Sequence, residues 1–137
     1  MTVTTPGLSR IHQISMRVHD VDRAVGFYRD TLGVPFLFAA PPRLAFFDCS
    51  GVRLMLSTPE PGFDHPGSVL YFAVDDIKEA HAALKARGVV FAGEPHKLAT
   101  LADREVWLAD FKDSEGNTLA LMSEPPLKVA GSLGVGS

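Results

Sequence analysis

The sequence predicts an α+β fold made of two tandem βαβββ modules that form a shared concave cleft. Two observations support this prediction. Residues 11–33 have the pattern of a strand followed directly by a helix. Parts of this pattern then return later in the chain in the same order. We therefore interpret the chain as a tandem repeat of one βαβββ unit.

The first strand and helix each have recognisable limits. Ile14, Met16 and Val18 alternate with polar residues, so one strand face is apolar. Asp20 stands at the N-cap position, where its carboxylate accepts hydrogen bonds from the first backbone N–H groups of the helix. The apolar positions at helical spacing are Val21, Ala24, Val25, Tyr28 and Leu32, and Gly33 ends the helix. The second face of the strand is left uncovered by this helix, and we expect the functional residues there.

Two later segments repeat this unit. Residues 74–77 (VDDI) match residues 18–21 (VHDV) at an offset of 56. The glycine that ends the helix recurs as Gly88 after a slip of one residue. Residues 111–116 (FKDSEG) match residues 46–51 (FFDCSG) at an offset of 65. Each match keeps a cap or a turn residue, as expected of a duplicated structural unit.

The repeat sets the predicted boundaries. We predict a single domain over residues 8–124, with module one at 9–58, a linker at 59–67 and module two at 68–123. The Gly- and Ser-rich residues 125–137 are predicted to form a flexible tail. The second copy has extra residues at 93–104, which we interpret as a polar loop able to close over the cleft as a lid.

The composition argues against several classes of function. A net charge of −3 with no basic stripe disfavours nucleic-acid binding, because phosphate neutralisation requires clustered Lys and Arg. No apolar run is long enough to span a bilayer, and the N-terminal residues lack the apolar core of a secretory signal. Cys49 is the only cysteine, so no internal disulfide forms. We therefore expect a cytoplasmic protein that binds neither nucleic acid nor membrane.

The repeated segments resemble the vicinal oxygen chelate superfamily, which includes glyoxalase I, bleomycin-resistance proteins, extradiol dioxygenases and methylmalonyl-CoA epimerase. The resemblance rests on HQISMRVHDVDRAVGFYRDTLG, YFAVDDIKEAHAALKARG and FKDSEGNTLALMSEP, and extends over about residues 8–123. It implies the glyoxalase/bleomycin-resistance/dioxygenase fold. Because the superfamily contains isomerases, oxygenases, epimerases and drug-binding proteins, the resemblance does not choose among these activities.

Metal-dependent members of this superfamily carry four metal ligands on the cleft-facing strands. The resemblance places these ligands seven residues before each Asp that starts a helix and four residues after each turn glycine. In this chain the four positions hold Gln13, Met55, Val69 and Ala120. Val and Ala have no donor atom, and a Met thioether suits Cu(I), so one oxygen donor remains where Zn, Ni or Fe needs several. We predict no metal, no cofactor and an apolar cleft floor.

Four further residues are candidates for the ligand-binding cleft. Arg17 has cleft parity and is explained equally well as an anion contact or as a rim residue paired with an acid. Arg53 shares this parity and is an anion contact or, preferably, a surface pair. Tyr71 lies mid-strand, where its ring and hydroxyl suit ligand contact better than core packing. Trp107, the only tryptophan, is assigned to the cleft, with a dimer contact as the alternative.

Two functions remain open at this point. The first is a metal-independent binder of a small apolar or aromatic compound, neutral or anionic because the cleft offers Arg17 and Arg53. The alternative is a glyoxalase-like lyase or isomerase, or an epimerase, whose chemistry has moved to other residues. The candidates for that chemistry are Glu105, Asp110, Tyr71 and the loop histidines His65 and His96, and no catalytic residue is assigned. Open sheet edges predict a homodimer.

Overall fold

The computed structural model describes residues 8–59 and 67–127. The chain divides into two compact units, residues 1–67 and 68–137, which contain module one and module two respectively. The elements in chain order are β1 (Gln13–Arg17), α1 (Val21–Val25) with a π-helical continuation (Gly26–Thr31), β2 (Phe36–Ala40), β3 (Leu44–Cys49), β4 (Val52–Ser57), β5 (Leu70–Ala73), α2 (Ile77–Ala86), β6 (His96–Thr100), β7 (Glu105–Lys112) and β8 (Thr118–Ser123).

Each module forms one four-stranded mixed sheet. The strand order is β1-β4-β3-β2 in module one and β5-β8-β7-β6 in module two. In both sheets the first strand runs parallel to the last, and all other neighbours are antiparallel. The predicted α+β class and the βαβββ order of each module are confirmed.

The core of each module lies between its sheet and its helix. In module one, Met16, Phe47, Leu54 and Leu56 of the sheet are buried together with Tyr28 of the helix. In module two the buried sheet residues include Ala109, Phe111, Leu119 and Leu121, with Ile77 on the helix. Because strand side chains alternate, each sheet keeps a second face that its own helix does not cover.

Both helices begin at the predicted cap residue. The Asp20 carboxylate accepts a hydrogen bond from Arg23 N at 3.0 Å, and the Asp76 carboxylate accepts one from Glu79 N at 3.1 Å. An acidic side chain at this position satisfies one of the orphan N–H groups of the first turn. The N-cap predicted at Asp20 is confirmed.

The predicted first helix is not α-helical throughout. From Gly26 it continues as a π-helix, in which Leu32 N donates to Phe27 O at 2.9 Å, five residues back. A π-turn accommodates one additional residue relative to an α-helix. This extra residue accounts for the one-residue slip between Gly33 and Gly88 in the repeat.

The prediction of a polar loop over residues 93–104 is wrong in part, because His96–Thr100 is strand β6. This strand pairs with β7 at the edge of its sheet. Four of its five residues are exposed and one is half-buried. An edge strand exposed on both faces lacks the apolar alternation that identifies a strand in sequence.

For the residues before the turn that follows β3 or β7, the repeat alignment at an offset of 65 is wrong by one residue. Phe47 and Phe111, which are 64 residues apart, are both buried and pair with Leu54 and Leu119 respectively. The turn after β7 is therefore longer by one residue, and the offset rises to 65 only beyond it. Consequently the structural counterpart of Phe46 is Asp110.

The remaining boundary predictions fall largely outside the described residues. These are most of the linker (60–66) and most of the tail (128–137). At the start of the tail, Glu105 N donates to Pro125 O and Leu127 N donates to Asp103 O, each at 3.0 Å, so residues 125–127 are held against the segment that leads into β7. Neither helix in the two described stretches has the length and apolar character needed to cross a bilayer.

Candidate functional site

The second face of the module-one sheet carries most of the candidate residues. By strand register its members are Gln13, Ser15 and Arg17 of β1, Arg53, Met55 and Ser57 of β4, Phe46 and Asp48 of β3, and Phe38 of β2. Met16, Phe47, Leu54 and Leu56, which alternate with these residues in β1, β3 and β4, form the core, so the alternation directs the side chains of this face away from α1.

Five of these side chains form a connected cluster. Arg53 Nε donates to Gln13 Oε1 at 2.6 Å, and Gln13 Nε2 lies 3.7 Å from Met55 Sδ. The guanidinium carbon of Arg53 lies 5.2 Å from the centre of the Phe46 ring. The ring of Phe38 stacks on Phe46, with centroids 4.6 Å apart and 27° between the planes. We call Gln13, Phe38, Phe46, Arg53 and Met55 the module-one cluster.

The cluster is accessible to solvent, and its arginine has N–H groups that form no hydrogen bond with the described residues. Phe38 is 49% exposed and the other four members are half-buried. Within residues 8–59 and 67–127, Nη1 and Nη2 of Arg53 form no hydrogen bond or ion pair. Asp48, paired opposite Arg53 in the ladder, instead accepts a hydrogen bond from Gly51 N at 3.0 Å. The N–H groups on Nη1 and Nη2 of Arg53 therefore remain available as hydrogen-bond donors to a ligand.

Arg17 lies on the same face but apart from the cluster. It ends β1, four residues beyond Gln13, which corresponds to about 13 Å along a strand. The two arginines predicted as anion contacts thus belong to different parts of the face.

The second face of the module-two sheet carries one acidic and one basic side chain of β7, Asp110 and Lys112. Tyr71 and Asp110 flank Ala120 in one row across β5, β8 and β7. Tyr71 is 54% exposed, whereas Asp110 is half-buried and its carboxylate forms no hydrogen bond or ion pair with the described part of the chain. Val69 precedes β5 and is exposed. Asp110 also lines a hollow of about 310 Å³ with Phe91 and neighbouring residues.

Trp107 and Glu105 lie on the other face of this sheet. Trp107 has the parity of buried Phe111, and Lys78 Nζ of α2 lies 5.6 Å from the centre of its ring. Its Nε1 donates to Glu105 Oε1 at 2.9 Å, and Lys97 Nζ lies 3.7 Å from Glu105 Oε2. The structure therefore does not bring Trp107 or Glu105 together with Tyr71 and Asp110. Sequence alone does not show which residues of β7 lie on the same sheet face as Tyr71 of β5, so it does not separate these two pairs of residues.

Phe38 and Phe46, the two aromatic members of the module-one cluster, were not among the cleft residues predicted from the sequence. A signal for one of them was present. Phe46 and Phe47 are adjacent in a strand, so they must face opposite sides of the sheet.

The residues at the four expected metal-ligand positions do not fit a divalent ion. Gln13 Oε1, the oxygen donor among them, already accepts a hydrogen bond from the Arg53 guanidinium, whose charge repels a second cation. In the described stretches no three His, Cys, Asp or Glu residues lie close enough together to hold a metal. We therefore derive no chemical step through a metal ion.

Cys49 lies at the end of β3 and is half-buried. Burial, followed by the charge of Asp48, raises the pKa of its thiol. Since the thiolate is the nucleophilic form, this cysteine is not an activated nucleophile.

Comparison with solved structures places this arrangement in the class of proteins built from βαβββ modules. A lactoylglutathione lyase from Agrobacterium tumefaciens is 22% identical with a TM-score of 0.69, covering 85% of this chain and 95% of that chain. TnmS3, an antibiotic-binding protein from Streptomyces sp. CB03234, is 26% identical with a TM-score of 0.69, covering 88% of this chain and 99% of that chain.

The family follows from the sequence match. The model of the Glyoxalase/Bleomycin resistance protein/Dioxygenase superfamily matches residues 10–121, and the chain belongs to this superfamily. YurT, described as an uncharacterized protein of Bacillus subtilis (strain 168), is 31% identical over 130 residues, which are 80% of this chain and 95% of that protein. The predicted family resemblance is confirmed.

Proposed function

We propose that the protein is a metal-independent binder of a small apolar or aromatic compound that is neutral or anionic. One observation carries this proposal. A guanidinium is hydrogen-bonded to Gln13 Oε1, the oxygen donor at the positions where the superfamily resemblance implies a metal. Phe38, Phe46 and Met55 beside it offer aromatic and thioether surface. Similarity to TnmS3, an antibiotic-binding protein, supports a binding role.

The proposed contact residues lie on the second face of each sheet and are half-buried or exposed, except Ala120, which is buried. They are Gln13, Arg17, Arg53 and Met55 in module one, together with Phe38 and Phe46, and Val69, Tyr71 and Ala120 in module two. Trp107 is left out of this set because its ring lies against Lys78 of α2.

Metal content tests the proposal first. Elemental analysis of the purified protein should find no stoichiometric metal, and thermal unfolding should give the same Tm with and without EDTA. Ligand binding measured by calorimetry in EDTA should then match binding in added Zn²⁺, Ni²⁺ or Mn²⁺. A stoichiometric ion that EDTA removes, or a ligand that binds only when metal is added, overturns the proposal.

A second function is a glyoxalase-like lyase or isomerase, or an epimerase, acting through module two. The observation that favours it is the row of Tyr71, Ala120 and Asp110, in which a half-buried carboxylate and a phenol share one sheet face on strands that flank β8. Asp110 is then the general base. Replacing Asp110 by Asn should abolish turnover but leave substrate affinity unchanged. Turnover that survives both this change and Tyr71→Phe rejects the idea.

We also propose that the protein is a homodimer in the cytoplasm. Among the described residues, β1 and β2 of one sheet and β5 and β6 of the other are sheet edges, where backbone groups lack a neighbouring strand. The lone Cys49 suits a reducing compartment. Sedimentation at high protein concentration should give twice the chain mass of 14.8 kDa. A single species at the monomer mass contradicts the dimer.

A further inference from the structure

We infer that the module-one cluster binds the carboxylate of a flat aromatic monocarboxylate, with Arg53 holding the carboxylate and the Phe38–Phe46 stack holding the ring. This inference rests on the proposed binding function and names the ligand class. It also assigns Arg53 as the fixed positive charge at the position where metal-dependent relatives are expected to hold an ion.

The guanidinium of Arg53 is held in one orientation before any ligand arrives. Its Nε donates to Gln13 Oε1 at 2.6 Å, and its guanidinium carbon lies over Phe46, 5.2 Å from the ring centre. Gln13 is itself positioned by the contact of its Nε2 with Met55 Sδ at 3.7 Å. Nη1 and Nη2 remain, and two parallel N–H groups match the two oxygens of a carboxylate.

The aromatic part of the cluster supplies a surface for a flat ring. Phe38 and Phe46 are nearly parallel at 27°, and Phe38 is still 49% exposed. A ligand ring that lies across the exposed edges of Phe38 and Phe46 stays beside Arg53, which adjoins Phe46 from the neighbouring strand, and makes the edge-to-face contacts that aromatic rings favour. A saturated ring of similar size gains the burial but not the aromatic contact.

The charge around the cluster selects an anion of one charge. Arg53 is the cation in it, and the facing carboxylate, Asp48, is oriented towards Gly51 N. Arg17 lies four residues along β1 from Gln13, or about 13 Å, so a small carboxylate does not reach both arginines. A neutral amide leaves charged donors without a charged partner and loses the stronger form of the hydrogen bond.

Three probes of matched size test the inference by calorimetry in EDTA: 2-naphthoate, its neutral analogue 2-naphthamide, and the saturated anion decahydro-2-naphthoate. We expect 2-naphthoate to bind about 10-fold more tightly than 2-naphthamide, as for hydrogen bonds to charged groups. Arg53→Gln should weaken 2-naphthoate by about 10-fold or more and leave 2-naphthamide unchanged. Phe38→Leu should weaken 2-naphthoate by about 3-fold or more and leave the saturated anion unchanged.

Arg29 provides a matched control. Its guanidinium also lies over a phenylalanine of module one, 5.7 Å from the Phe36 ring centre, but it is already paired with Asp30 at 2.8 Å. Arg29→Gln should leave the affinity for 2-naphthoate unchanged. Arg53→Lys, which keeps the charge and loses the planar fork, should restore part of the affinity lost in Arg53→Gln. The Tm of each variant establishes that it is folded.

Three results overturn the inference: no binding of 2-naphthoate, equal affinity for 2-naphthoate and 2-naphthamide, or an affinity for 2-naphthoate that Arg53→Gln does not change. None of them removes the proposed function, which still allows other apolar ligands. The proposed function fails by a different result, namely a stoichiometric metal or metal-dependent binding.

Discussion

The two modules have similar cores but differ on the second face of the sheet. Phe47 and Phe111 occupy the same buried place, each opposite a leucine. On the second face, the counterparts of Gln13, Phe46, Arg53 and Met55 are Val69, Asp110, Thr118 and Ala120. Module one thus presents a cation on an aromatic ring, and at the equivalent positions module two has a carboxylate and three small uncharged side chains.

This difference shows which part of a duplicated unit can change without altering its fold. A core position is close-packed, so a substitution there creates a cavity or a clash. A second-face position contributes little to the packing against the helix, so its side chain is free to acquire a new chemistry. Strand alternation separates the two kinds of position residue by residue.

The largest expected effect tests the shared core. Phe47→Ala and Phe111→Ala should each lower the free energy of unfolding by about 3–5 kcal/mol, because both rings are fully buried. Phe46→Ala, on the second face, should cost about 1–2 kcal/mol. Urea unfolding with fitted m-values measures all three. Equal losses for Phe46→Ala and Phe111→Ala would instead support the repeat offset of 65.

The second-largest expected effect concerns the turns after β3 and β7, which differ in the number of hydrogen bonds that an Asp carboxylate accepts. Asp113 is 6% exposed and its carboxylate accepts from Glu115 N, Asn117 N and Asn117 Nδ2, each at 2.8 Å. Asp48 accepts one hydrogen bond, from Gly51 N at 3.0 Å. Asp113→Ala should therefore cost about 2–3 kcal/mol of unfolding free energy, and Asp48→Ala about 1 kcal/mol or less. The same urea titration compares them, and a larger loss for Asp48→Ala contradicts the assignment.

A smaller effect of opposite sign concerns the helices. His81 of α2 is buried, its Nε2 has no hydrogen-bond partner in the described residues, and its ring lies 4.3 Å from that of Phe91. Its counterpart in α1 is Val25. His81→Leu should raise the free energy of unfolding by about 1 kcal/mol, because the desolvated nitrogen is removed. Thermal and urea unfolding check the sign. A loss of stability would show that the ring contact with Phe91 outweighs the unpaired nitrogen.

The smallest expected effect concerns Cys49, whose place before the turn is taken in module two by Asp113. Because burial raises the pKa of the Cys49 thiol, the thiolate fraction at neutral pH falls below that of an ordinary thiol. Alkylation by iodoacetamide should therefore be slower than for glutathione at pH 7.5 and should increase as the pH is raised. A rate above that of glutathione at pH 7.5 contradicts the raised pKa.

The fold was accessible from the sequence because its main signals are local. Alternation in β1 and the caps Asp20 and Asp76 fix the element types, and the repeat supplies the rest. Two elements were missed for physical reasons. Strand β6 is an exposed edge without apolar alternation, and the π-helix still buries Tyr28, one of the apolar positions at α-helical spacing.

The candidate site was only partly accessible. The absence of donors at Val69 and Ala120 can be read directly from residue identity. The cluster around Arg53 could not be, because it depends on cross-strand pairing of Gln13 with Arg53 and on the register of Phe46. A one-residue error in that register exchanges Phe46 for Phe47 and so hides the aromatic stack.

One edge strand of each sheet, β2 or β6, contains the same irregularity. The pairing register shifts between Phe36 and Phe38 in β2 and between Lys97 and Ala99 in β6, and the residue skipped is in each case an exposed leucine, Leu37 or Leu98. An edge interrupted in this way offers an incoming strand no continuous row of donors and acceptors. At β2 and β6 the two apolar side chains are therefore exposed beside a backbone that does not favour the addition of another strand.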